Sequence, residues 1–303
     1  MAILNGIVSK ISGSAGNLTF RRNAGRTILS EKVTNVKVSR TEAQQRHRCK
    51  WANTVAMYKG IKPLINYGFE NKPSNLSDYN MFVKVNMQQA PVYLTKSQVA
   101  GGACVAAPYQ LTQGSLPSIV ITGEGRNAAT NIFVADLTIG ASTTVSDFSK
   151  SVVNNNPDYH YGDQISYFII KQKVNEATGI PYCQFKANAV VLDATNTEKL
   201  WDIVPKNGFS VTDGCLSHSG NDGDCCFAWV HSRKGSNGKI LVSSQSLIDA
   251  NSKLSAYTSD AAYLLAANSY GNSKDVFLAP SGNVVESSAG AGGNTTPGGG
   301  DSL

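Results

Sequence analysis

Apolar and polar positions change their rhythm twice along the chain. Up to residue 40 the pattern is short and turn-rich. Asn17–Arg22 and Arg26–Val33 are two strand-like runs separated by Asn23-Ala24-Gly25, and a three-residue link ending in Gly suits a hairpin because Gly accepts positive φ without a Cβ clash. From residue 41 a helical period takes over. Thr41-x-x-Gln44 fits a capping box, and Trp51, Val55 and Tyr58 follow at i, i+4 and i+7 as one apolar stripe. Gly60 and Pro63 end or kink this element, so the spacing predicts a helix over 41–66. A second helix is predicted after Ser77, with Tyr79, Phe82, Val83 and Met87 as its apolar face, closed by Pro91.

Residues 93–114 show weak periodicity around Gly101-Gly102 and read as a connector. Beyond 115, β-rich runs alternate with turn signals: Ser118–Thr122, Asn131–Ile139, Asp163–Val174, Tyr182–Leu192, Phe209–Thr212, Cys226–His231 and Lys239–Ser244. Evenly spaced short strands of this kind predict a β-sandwich of the immunoglobulin-like sort. Its clearest hairpin turns at Asn237-Gly238. Asp163–Val174 is apolar on both faces at its middle, as a central strand requires. A helical period returns over 247–270 through Leu247, Leu254, Tyr257, Ala261, Leu264 and Leu265, and a short strand is predicted at Asp275–Leu278. From Ser281 the chain is rich in Gly, Ser, Thr and Asn, a composition that buries too little apolar area to offset its ordering entropy.

The expected fold class is therefore mainly β with helical segments, α+β. Its parts are a basic β-hairpin arm (1–40), a helical segment (41–92), a connector (93–114), a β-sandwich domain (115–247), a C-terminal helical extension (248–282) and a flexible tail (283–303).

Charge sharpens this division. The net charge of +6 hides an asymmetry. Residues 1–72 hold 13 Lys/Arg against three acids, a balance of +10, whereas residues 73–303 hold 14 against 18, a balance of −4. A basic segment on a mildly acidic body can face phosphate or an acidic surface of another copy, and its plainer reading is a solvated face. The residues that qualify are Arg21, Arg22, Arg26, Lys37, Arg40, Arg46, Arg48 and Lys50. Phe20 and Trp51 lie nearby, with Trp51 expected in the core. No helix-turn-helix, zinc-finger or RNP pattern accompanies them, so the expected nucleic-acid contact is non-specific and electrostatic.

Hydrophobic residues make up 41% of the chain, enough for a packed core, and charged residues only 16%. Met1–Lys10 is too short and polar for a signal h-region. The longest apolar run, Ala261–Ala267, is far below the ~18 residues of a membrane span. No membrane partner is expected. The six cysteines are too dispersed for a disulfide scaffold and read as free thiols.

Candidate chemistry is sparse. Cys215-x-x-His218 with Cys225-Cys226 and His231 is the one metal-like cluster, making Cys215, His218, Cys225 and His231 weak zinc candidates. Adjacent Cys225 and Cys226 point to opposite sides of a strand, which spoils the second knuckle. Gly123-Glu124-Gly125-Arg126 lacks the third glycine of a dinucleotide fingerprint and is more simply a turn. No nucleophile, base and oxyanion set appears at a recognisable spacing. The expectation is a protein with neither enzymatic activity nor cofactor.

One resemblance adds context. A Gly-rich opening (Gly6, then Ser12 to Asn17) precedes the hairpin with Arg21, Gly25 and Arg26, then Thr41-x-Ala43-Gln44, Arg46, Gly68-Phe69, Tyr79-Asn80 and a closing Val242–Ser246 strand. This resembles an uncharacterised domain-of-unknown-function family of Bacteroidetes bacteria and their phages, over roughly residues 1–247. The part after Leu247 and the cysteine content depart from that pattern. The resemblance implies a bacterial or phage protein of structural type and transfers no catalytic residue. The function expected is a structural component of a phage particle (head, connector or tail accessory), made in the host cytoplasm and carried in the virion. Its partners would be other virion proteins and copies of itself. Nucleic-acid binding through the basic segment is the alternative.

Overall fold

In a computed structural model the residues described are 2–4, 12–23, 26–32, 42–65, 68–87, 94, 96–123, 127–220 and 225–249. The fold is mixed α+β. It forms two compact units, Met1–Thr41 and Glu42–Leu303.

The first unit is a four-stranded sheet of β1 (Ala2–Leu4), β2 (Gly13–Ala15), β3 (Leu18–Asn23) and β4 (Arg26–Glu31), in the order β1-β4-β3-β2. The predicted hairpin is β3–β4. Asn23 pairs with Arg26, so the link has two residues rather than the expected three. Lys32 N donates to Asn17 O (2.6 Å) and closes its open end. The arm is thus more than a hairpin, with β1 and β2 flanking it on either side.

The second unit runs through α1 (Glu42–Ile61), α2 (Asp78–Asn86), α3 (Lys96–Ala100), β5 (Gln110–Thr112), β6 (Ile121–Thr122), β7 (Ala129–Phe133) and α4 (Val145–Asn155). It continues with β8 (Gln164–Val174), β9 (Pro181–Val191), α5 (Leu200–Ile203), β10 (Ser210–Thr212) and β11 (Cys215–Ser217). The last strands are β12 (Cys225–Lys234), β13 (Ile240–Val242), β14 (Gln245–Ser246) and β15 (Ile248–Asp249). A central sheet, β13-β12-β8-β9 with β15 beside β12, faces a smaller sheet β10-β11-β7-β6, and β5 pairs with β14. The strand pairings are antiparallel.

Alternation along β8 and β12 builds two cores, one on each face of the central sheet. Tyr167, Ile169, Phe227 and Trp229 join Ile132, Val134 and Leu216 of the small-sheet side and Val145, Phe148 and Val152 of α4. Phe168, Ile170, Cys226 and Ala228 join Met57 and Ile61 of α1 and Phe82 of α2. The two facing sheets of the expected sandwich are present, and a helical layer covers the outer face of the larger one.

Several expectations change. The segment 93–114 is no bare connector: Ala103 through Ala107, Tyr109 and Leu111 are buried, and Cys104, Ala106, Ala107, Tyr109 and Leu111 belong to the second core. Asn53 holds it there, donating to Val105 O (3.1 Å) and accepting from Val105 N (2.8 Å). Helix α1 ends at Ile61 and buries Asn53, Thr54, Met57 and Ile61, not the predicted stripe, so Trp51 is 43% exposed against the edge of Tyr79. Helix α4 lies inside the stretch read as all-β. Leu247 belongs to the core and to the β14–β15 strand region, its N–H donating to Tyr109 O (2.8 Å). Ile248–Asp249, expected as the start of the C-terminal helix, instead pair with β12 as β15, and residues 250–270 of that helix, the strand Asp275–Leu278 and the tail lie outside the described residues.

Candidate functional site

Arg21, Arg22 and Arg26 are exposed on the β3–β4 hairpin and make no ion pair among the described residues. Cross-strand partners share a face, and Arg21 pairs with Ile28, Arg22 with Thr27 and Arg26 with Asn23. Arg21 and Arg26 therefore sit on one face beside each other, and Arg22 on the opposite face. The tip carries charge on both sides rather than one converged cluster. Lys37 and Arg40 lie outside the described residues. Arg46 is in α1 with its side chain undescribed; Arg48 is exposed and Lys50 half-buried on the same helix.

Of the four weak metal candidates, the two histidines have separate partners. His218 Nδ1 is 2.7 Å from the Tyr167 hydroxyl, and the ring stacks on Phe227. His231 Nε2 is 2.8 Å from Asp163 Oδ2, and its ring stacks on Tyr159. Cys215 and Cys225 lie on different sheets and are in no disulfide. Among the described residues no group of three or more His, Cys, Asp or Glu could hold a metal ion.

The sequence reading missed the densest polar cluster, which is built on Asp163. This residue lies between Gly162 and the start of β8 and is buried. His231 and Arg233 stand two apart on β12 and so face the same side. Asp163 accepts from Arg233 Nε (2.7 Å) and Nη2 (2.7 Å), from His231 and from the backbone N–H of His160 (2.9 Å). Burial alone would raise its carboxyl. The Arg233, His231 and His160 hydrogen bonds outweigh that and hold it well below the usual carboxylate range. Arg233 Nη2 also donates to Asp158 O and His160 Nδ1, both at 2.6 Å. Burial, with Asp158 and Asp163 nearby, pushes the Tyr159 hydroxyl up.

This arrangement pins β8, β12 and the 158–163 turn together. His231 is fully buried, out of reach of an incoming substrate as it stands, and its Nδ1 has no hydrogen-bond partner among the described residues. The signal available in the sequence was the His-x-Arg spacing on a strand together with an Asp at a strand start.

The five described cysteines are in no disulfide, and Cys183 donates to Cys104 O (3.4 Å). Hydrogen bonding with Cys104, followed by burial, pushes the Cys183 thiol up, away from the reactive thiolate.

Compared with models of protein families, with curated proteins and with solved structures, the chain finds no match.

Proposed function

We propose that the chain is a non-enzymatic structural component of a bacteriophage particle, a head, connector or tail accessory protein. It joins other virion proteins and copies of itself through its N-terminal sheet, and it is made in the host cytoplasm. The observation that supports this most is the separate N-terminal unit, with three exposed arginines that make no ion pair among the described residues. Such charges contribute little to folding and are free to meet a partner. The buried Asp163 cluster supports the same reading, because the Asp163 carboxylate is engaged by Arg233 and His231 in holding strands together. The resemblance of residues 1–247 to a Bacteroidetes and phage family supplies the context.

The balance of +10 over residues 1–72 favours a second reading, non-specific binding of nucleic acid. Size exclusion with light scattering, with and without duplex DNA, separates the two. Structural assembly gives a defined oligomer indifferent to DNA. A stable monomer whose DNA binding weakens steeply with salt supports nucleic-acid binding instead.

A further inference from the structure

Strand β9 is an edge of the central sheet, and its eleven residues pair with β8 without a register shift. Leu192 N donates to Asp163 O (2.8 Å), which marks that pair as turned toward β8. Alternation then sends the backbone N–H and C=O groups of Phe185, Ala187 and Ala189 off the sheet. Pro181 belongs to the same outward set, and its carbonyl accepts from Cys104 N (2.9 Å), from outside the β8–β9 ladder. Further along, the outward groups of Phe185, Ala187 and Ala189 meet no backbone partner among the described residues.

Edge strands are usually blunted by a proline, a bulge or charge. Here the proline is confined to the first position, and there is no bulge. The charge that is present has one sign. Cross-strand pairing puts Lys171, Lys173, Tyr182, Gln184 and Lys186 on one face of the β8–β9 ladder. Lys173 and Lys186 are exposed and make no ion pair among the described residues, and Tyr182 is 39% exposed beside them. The acid within residues 164–191 is Glu176, in the connecting turn.

We propose that this edge docks an extended segment of another protein, entering as an added strand with carboxylates at alternate positions. Main-chain hydrogen bonds to Phe185, Ala187 and Ala189 supply the pairing, and the lysine face selects the charge. Pairing with a second copy of β9 sets two Lys186 side chains on one ladder, and the arm of another copy brings more positive charge. The charge therefore disfavours both. The surface is independent of the arginine hairpin and stands or falls separately.

The test uses the full chain with its arm intact and a fluorescent seven-residue peptide of alternating Glu and Val, against the same peptide with Lys for Glu. Anisotropy should show saturable binding of the Glu peptide alone. Ala187→Pro, which removes an outward donor, should weaken it by about tenfold or more with an unchanged thermal midpoint. Lys186→Glu, a surface change that tests the idea without touching the backbone, should weaken the Glu peptide and admit the Lys peptide. Binding of neither peptide, or equal binding of both, overturns the proposal. A wild-type dimer that Ala187→Pro dissociates also overturns it, by assigning the edge to a second copy.

Discussion

Asp163 is the residue on which the polar interior turns. Its side chain is 1% exposed and its partners are Arg233 and His231. Replacing it by Asn leaves Arg233 without its counter-charge, so Asp163→Asn should cost roughly 3 kcal/mol of stability, measured by denaturant unfolding. The pH dependence follows from the direction of the shift. A carboxyl held below its unfolded value stabilises the fold fully above the unfolded pKa of about 3.9 and loses that contribution as pH falls further. Wild type should therefore lose stability below about pH 4 more steeply than Asp163→Asn does. Gly114 is a second such residue. A Cβ there would run into the Val242 carbonyl and crowd the Glu70 carboxylate at 2.8 Å. Since the Val242 atom is backbone and cannot swing away, Gly114→Ala should lower stability by about 1–3 kcal/mol in the same assay.

At the scale of elements, the long apolar strands were the most legible. Residues 163–174 were expected as a central strand and form β8 over Gln164–Val174, because a strand buried on both faces shows an unbroken apolar run. Helix α2 begins after Ser77 as read, and the Ser77 hydroxyl accepts from Asn80 N (3.2 Å). What escaped the reading was burial carried by polar residues. Asn53 and Asn86 look like solvent positions, yet each forms a two-way hydrogen bond with a backbone, Asn86 with Gln110 at 2.9 and 2.7 Å. Such asparagines act in place of a neighbouring strand and let 103–112 be buried without an apolar period. Asn53→Ala should cost about 1–3 kcal/mol, since the Val105 N–H is then left unpaired in the core. Helix α4 escaped for another reason. Its capping box, Thr144 with Asp147, was there to be read, with Val145, Phe148 and Val152 behind it, but the surrounding turn signals outweighed one short helical period. Thr144→Ala should lower stability by about 1 kcal/mol. The basic arm was legible as charge and hairpin. The opposite facing of Arg21 and Arg22 follows from their adjacency on a strand, whereas the face of Arg26 was not legible, because it depends on a turn one residue shorter than the link that was read.

At the scale of the whole molecule, the chain divides into a well-packed body and a small basic sheet with its own boundary at Thr41. The body holds two cores around one central sheet, and its densest polar cluster serves the fold. The small sheet displays charges with no ion pair among the described residues, and the proposal gives them the work of assembly. That claim is tested most directly by reversing Arg21, Arg22 and Arg26 to Glu together and measuring mass by light scattering alongside the thermal midpoint. Exposed charges change stability little, about 0–1 kcal/mol each. The account predicts an unchanged midpoint and an oligomer reduced to monomer. A triple variant that unfolds would show the arginines to be structural, and one that folds and assembles as wild type does would show a solvated face with no partner. Either result would contradict it.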